Sequence, residues 1–238
     1  MSFDLPRNVI LPVDAIDVRL DPGPHPFAVD NVEAIVENWR LETAANPALF
    51  DGIVVLLSEL SYRDRRLIGR CHAVNYSTFM LWRKQRENSG AEHAYGHAVL
   101  VAGDNALVAI RMGQRTVNAG RVYFAAGSFE PIDFRDGLVD VDFNMIREVR
   151  EETGLDLSDA RRGVRWHALS TASGTVIFRR YHVDEPADEI ASRIRAFVAT
   201  EADPEIEEPV IIRHAADLPD GLSPHMKPLI EWHFASEG

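Results

Sequence analysis

Cysteine occurs once in the 238 residues, at Cys71. A single thiol forms no internal disulfide and supplies no cysteine-based zinc site, so Cys71 reads as a small buried hydrophobe. No apolar run approaches the roughly 20 residues needed to span a bilayer. The opening Met1-Ser2-Phe3-Asp4-Leu5-Pro6 has neither the basic region nor the apolar core of a signal peptide. The expected setting is therefore the cytoplasm, with no membrane partner. Basic residues are in deficit: 25 Lys and Arg against 37 Asp and Glu leave a net charge of −12. Phosphate backbones need a basic surface, so a general nucleic-acid binder is excluded. A small phosphorylated ligand is not excluded, because a local patch or a bound cation reverses the field at one site. Internal repeats and low-complexity stretches are also missing.

The 46% hydrophobic and 26% charged composition is that of a soluble globular protein. The length suits one large domain or two small ones. Chemistry is densest at residues 147–155, Arg-Glu-Val-Arg-Glu-Glu-Thr-Gly-Leu. On a helix, successive residues turn by about 100°, so Glu148, Glu151 and Glu152 share one face. Unneutralised, three such carboxylates repel one another. They suit Mg²⁺ or Mn²⁺, hard cations that prefer oxygen ligands. A merely solvated acidic face is the alternative. Arg147 stands four residues before Glu151 and is placed to brace it. Val141, Met145, Ile146 and Val149 form the apolar face that would enter a core, and Gly154 ends the helix.

Residues 147–155 match every specified position in the second half of the Nudix box, R-E-hydrophobic-x-E-E-x-G-hydrophobic. The segment Gly127-Ser128-Phe129-Glu130-Pro131 resembles the opening glycine loop of that box. The first half departs from the pattern. Arg147 lies 20 positions after Gly127, where the pattern has fourteen, so about six residues are inserted within residues 132–142. Counting back from Arg147 puts Val139 where the first glutamate belongs. Asp136 and Asp140 are near but out of register.

Before the box, residues 9–11 and 16–20 read as a strand pair or one interrupted strand, followed by a stiff turn-rich connector, Asp21-Pro22-Gly23-Pro24-His25-Pro26. Asp30 or Asn31 is placed to cap a helix through Thr43, with Val32, Ile35, Val36 and Trp39 at helical spacing. Residues 53–57 are a buried strand, 62–66 a turn, 67–74 the returning strand and 77–85 a short helix. This gives an α+β extension over residues 1–90. The polar run 83–92 marks the junction with a second domain at 91–238. Phe50-Asp51-Gly52, Tyr62-Arg63-Asp64 and Trp82-Arg83, together with the insertion, resemble the Nudix branch of UDP-glucose and UDP-galactose diphosphatases. Tyr76 and Trp82 are either core residues or a substrate wall contributed by the extension.

The second domain predicts hairpins at residues 98–111 and 164–183, a strand at 122–126, a helix at 187–200, a strand at 209–214 and a final helix at 223–234. Strands and helices in this order fit an α/β/α sandwich with a mixed sheet, which the resemblance also implies. Arg111 and Arg115 are either solvated or grip a diphosphate, whose oxygens suit the guanidinium fork. The acidic segment 201–208 is a solvated loop or the source of a general base, with Glu205 and Glu207 as candidates. His93 and His97 are four apart, but the Tyr95-Gly96 pair and the following strand argue against a helical zinc site.

The family resemblance implies Mg²⁺- or Mn²⁺-dependent hydrolysis of a nucleoside diphosphate linked to another moiety. Glu148, Glu151, Glu152 and the Gly127 carbonyl would hold the metal, Arg147 would orient a glutamate, and Tyr76, Arg111 and Glu130 would bind substrate. The branch resemblance implies a UDP-sugar giving UMP and a sugar 1-phosphate. ADP-ribose, coenzyme A and nucleoside triphosphates remain alternative substrates, and a non-catalytic ligand sensor on the same fold is the alternative to an enzyme. The resemblance also carries the expectation of a homodimer, with no segment marked as its interface.

Overall fold

The computed structural model describes residues 3–86 and 90–235. Residues 87–89, inside the polar junction, lie outside the described residues, as does the start of the N-terminal segment. The chain begins with strands β1 (Phe3–Asp4), β2 (Ile10–Val13) and β3 (Ala15–Asp21), then helices α1 (Pro26–Asp30) and α2 (Val32–Ala45). A hairpin follows, β4 (Ile53–Arg63) and β5 (Arg66–Asn75), then α3 (Tyr76–Lys84). Next come β6 (Ala94–Val101), β7 (Leu107–Met112), β8 (Val122–Tyr123), a 3-10 turn (Pro131–Asp133), β9 (Phe134–Arg135), β10 (Leu138–Val139) and α4 (Val141–Thr153). The remainder is β11 (Arg161–Arg162), β12 (Trp166–Thr171), β13 (Gly174–His182), α5 (Ala187–Val198), β14 (Ile206–Ile212) and α6 (Met226–Ala235).

The chain forms two compact units. One comprises Met1–Tyr95, Ser128–Val141 and Ser170–Thr175, the other Gly96–Gly127, Asp142–Leu169 and Val176–Gly238. A single cut near residue 90 does not describe the two later pieces of the first unit. The reason is strand pairing: the sheet of the first unit runs β1-β4-β5-β3-β10-β9, so residues 134–139 form its last hairpin. Leu138 pairs with Arg19, and the Leu20 amide donates to the Gly137 carbonyl. The turn of this hairpin places Asp136 and Gly137 at φ 51° and 76°, the left-handed region that two-residue hairpins require. Asp64 and Arg65 do the same between β4 and β5.

Sequence and structure differ in the lead-in. β3 pairs in parallel with β5, not with β2. The proline-rich connector holds a short helix, α1, because Pro26 sits at its first turn, where a missing N–H costs nothing. Asn31 precedes α2, but its side chain donates to the Phe27 carbonyl and makes no cap. The α3 start is capped from a distance: Asp51 Oδ1 accepts from the Ser77 amide at 2.7 Å. Phe79, Leu81 and Trp82 of α3 then pack with Phe27, Val54, Leu56 and Val74 in one buried cluster.

In the second unit the strand order is β14-β7-β6-β13-β12, with β8 beside β7 and β11 beside β13. Alternation along β13 shows a helix on each face. Phe178 and Arg180 meet Trp232 of α6, whereas Arg179 and Tyr181 point the other way and bond Asp142 at the start of α4. Gly96 of β6 faces α4: a Cβ there would stand 2.8 Å from Asn144 Oδ1. Phe197 of α5 packs against Gly154, on the α4 side. The second unit is thus an α/β/α sandwich with a mixed α/β composition. No helix among the described residues is long and apolar enough to cross a membrane.

Candidate active site

The helix α4 carries the site, and its burial pattern explains how. Val141, Met145 and Val149 are buried, with Asn144 in the same stripe. Ile146 is only half-buried, because the stripe turns toward Glu148 and Glu152. Both of these carboxylate residues are more than nine-tenths buried, an unusual place for charge unless it is paired or ligating. Glu151 points to solvent with a side chain 58% exposed. Gly154 closes the helix with φ +71°, and its amide donates to the Arg150 carbonyl at 3.0 Å.

Arg147 organises the cluster. One guanidinium nitrogen lies 2.7 Å from Glu148 Oε1, the other 2.9 Å from Glu151 Oε2. The Ala126 amide donates to Glu152 Oε2 at 3.0 Å. Gly127 follows directly, and a Cβ there would stand 2.3 Å from Glu148 Cδ and both its oxygens. The glycine therefore lets backbone lie flat against the carboxylate. Burial pushes the Glu152 carboxyl well above its usual range, and the negative charges of Glu148 and Glu205 push it further. Burial and like charge both disfavour ionisation.

This is a crowded set of oxygen donors with one arginine to offset it. The donor chemistry fits a hard divalent cation, whose charge would relieve the repulsion that raises Glu152. Among the described residues, no three such side chains already stand together as a formed metal site. The ligand set is therefore one of chemistry and neighbourhood.

The other residues singled out from the sequence fall in different places. Glu205 interacts with Glu152, and its carbonyl accepts from the Gly113 amide at 2.8 Å. Glu207 lies on β14 and accepts from Gln114 at 3.2 Å. The acidic segment is thus partly strand, since β14 begins at Ile206. The Arg111 fork is already occupied: Nε donates to Glu208 at 3.1 Å, and a terminal nitrogen donates to the Gly120 and Asp220 carbonyls. Arg115 pairs with Asp203.

Glu130 and Tyr76 belong to the first unit. The Glu130 amide donates to Asp133 Oδ2 at 2.8 Å, and the Asp133 amide returns a bond to the Glu130 carbonyl. Tyr76 stacks on Phe79 at 5.7 Å beside the buried cluster. Val139, in the register of the missing glutamate, is buried and pairs with Phe134 in the inserted hairpin.

Sequence reading missed the anchor of α4. Asp142 Oδ2 accepts from Arg179 at 2.7 Å, and Oδ1 accepts from the Tyr181 hydroxyl. Arg179 stacks over Trp166 at 4.7 Å. A carboxylate in the first turn of α4 was visible in the sequence, but its partners lie on a strand far along the chain.

No protein-family model matches the chain, and no curated protein matches it. Among solved structures it is similar to a MutT protein from Methanosarcina mazei Go1, with 15% identity over 59% of this chain and 91% of that one, at a TM-score of 0.39. It is similar to the E. coli ORF135 protein at 20% identity, covering 60% of this chain and 91% of that one, TM-score 0.37. DR0079 from Deinococcus radiodurans gives 12% identity over 60% and 83%, TM-score 0.39. At these values the likeness is partial.

Proposed function

We propose that the chain is a Nudix-type diphosphatase that hydrolyses the phosphoric anhydride of a nucleoside diphosphate linked to another moiety. The observation that carries this reading is the packing of the Glu148 carboxylate against Gly127 while Arg147 holds Glu148 and Glu151. It supports reading Gly127 and residues 147–155 as the two halves of one box. Glu148, Glu151, Glu152 and the Gly127 carbonyl would hold Mg²⁺ or Mn²⁺, which would neutralise the diphosphate and lower the pKa of an attacking water.

The chain's own groups have distinct tasks. Arg147 orients Glu148 and Glu151 and does not contact substrate. Glu205 accepts the proton of the attacking water: it acts on Glu152 from outside α4, and its backbone is fixed by Gly113. The water oxygen attacks one phosphorus, the bridging P–O bond breaks, and two monophosphates leave. In the finer reading the substrate is a UDP-sugar, giving UMP and a sugar 1-phosphate.

One observation favours a second reading, a non-catalytic ligand sensor: Val139 stands where the pattern has a glutamate and is built into a hairpin. A screen with Mg²⁺ over UDP-glucose, UDP-galactose, ADP-ribose, coenzyme A and nucleoside triphosphates separates these readings. A Glu151→Gln/Glu152→Gln variant is the control. UMP released from UDP-sugars alone, and lost in the variant, supports the finer reading. Turnover of another substrate keeps the mechanism and removes the UDP-sugar. Binding without turnover of any of them favours the sensor.

A further inference from the structure

The chain has a net charge of −12, yet one corner of the second unit reverses that balance. Residues 160–169 and 176–183, both in that unit, hold five arginines, two histidines and no Asp or Glu. Strand register sorts these bases onto two faces. Arg162 pairs with Tyr181 on the α4 face, where Asp142 lies 3.9 Å from Arg162 and 2.7 Å from Arg179. Arg161 stands directly opposite His182, so the two side chains project side by side from the other face, that of α6. Arg180 is two residues before His182 and shares this face. It lies 4.0 Å over the Trp232 ring and donates to the His233 carbonyl at 3.2 Å. Burial, then the positive charges of Arg161 and Arg180, hold the His182 ring below the ordinary histidine value. Like charges facing each other across a strand pair cost stability, and an anion between them removes that cost.

We propose that Arg161, Arg180 and His182 form a second site, which takes a phosphate group, on the sheet face opposite α4. Two guanidinium groups and an imidazole N–H supply donors for several phosphate oxygens, and the planar guanidinium fork suits them in particular. Arg180 covers the Trp232 ring, with His167 at 4.6 Å and Phe178 at 5.1 Å from it, so that ring is not a platform for a nucleobase. The site therefore reads the phosphate alone, whether free or as a monoester. A long polyanion fits less well, because beyond the patch it would meet the field of a chain with a net charge of −12. The site does not depend on the reaction proposed for α4.

NMR of the full chain, in EDTA at neutral pH and constant ionic strength, tests the proposal. EDTA leaves the α4 carboxylates without a cation that could hold phosphate there. The His182 ring resonances, assigned with His182→Gln, are expected to shift saturably with sodium phosphate and not with sodium chloride. UMP and AMP shift them with an affinity similar to that of inorganic phosphate. Arg161→Ala weakens binding about ten-fold or more, the loss of one charge-assisted hydrogen bond. Position 161 is exposed, so this variant keeps its circular dichroism spectrum. Arg162→Ala, altered on the α4 face, binds phosphate as the wild type does. The proposal is overturned by equal shifts with chloride, by wild-type binding in Arg161→Ala, by equal weakening in Arg162→Ala, or by a response to the mononucleotides without one to inorganic phosphate.

Discussion

A Cβ on Gly127 would stand 2.3 Å from both carboxylate oxygens of Glu148. No other residue tolerates that approach, so Gly127→Ala must push the carboxylate away from its place beside the loop. The expected result is a fall in turnover of about 100-fold, the cost of misplacing a reacting group by roughly 1 Å, with little loss of secondary structure. Steady-state kinetics and circular dichroism measure the two effects separately. Unchanged kinetics would detach the glycine from the site.

Arg147 offsets the charge of a buried carboxylate. Removing one partner of such a pair leaves the other uncompensated, at a cost of about 3 kcal/mol. Arg147→Ala is therefore expected to be destabilised by about that amount in urea denaturation. Arg147→Lys loses less, since it keeps the charge but not the fork that reaches Glu148 and Glu151 together. Equal stability of all three proteins would show that Glu148 is neutral or otherwise paired.

His97 is 1% exposed and sits 5.0 Å, ring to ring, from His225. Burial holds His97 well below its ordinary value and brings His225 down to about 4. Above pH 6.5 both are neutral whether folded or unfolded, so they contribute no pH dependence. As pH falls below that value the unfolded chain takes protons that the folded one refuses, and stability drops by about 1.4 kcal/mol per pH unit per histidine. For His225 the loss continues to about pH 4. The thermal midpoint of the wild type is expected to fall between pH 7 and 5 more steeply than that of His225→Phe. Parallel curves would contradict the assignment.

The carboxylate face of α4 was legible because its spacing is local. Glu148, Glu151, Glu152 and Gly154 fall within two turns of one helix, and helical spacing alone places them. The insertion was legible as an excess of residues, but not as a hairpin. Its partner, β3, pairs with it through Leu138 and Arg19, residues too distant in sequence for any local pattern to connect. The same limit hid Arg179 and Tyr181, which anchor Asp142, and the Asp51 carboxylate that caps α3. Glu205 and Glu207 looked equivalent in an acidic stretch. Only the start of β14 separates them: Glu205 precedes the strand, where its negative charge bears on Glu152, and Glu207 lies on it beside Gln114.

Cys71 lies wholly buried on β5, and burial pushes its thiol up to about 12. Thiolate is the reactive form, so a disulfide reagent is expected to label no thiol in the folded protein and one per chain in guanidinium. Rapid labelling of the native protein would mean that the sheet of the first unit opens readily at β5.

The α4 carboxylates and Gly127 are proposed to form a hydrolytic site. The most direct measurement is monophosphate release from a diphosphate-linked nucleoside, with and without Mg²⁺, by the wild type and by Glu148→Gln. Turnover is expected to require Mg²⁺ and to fall on the order of 100-fold or more in the variant, the scale on which removing one site electrostatic group acts. Turnover that survives in Glu148→Gln, or that is absent from the wild type with every substrate of the screen, would contradict it.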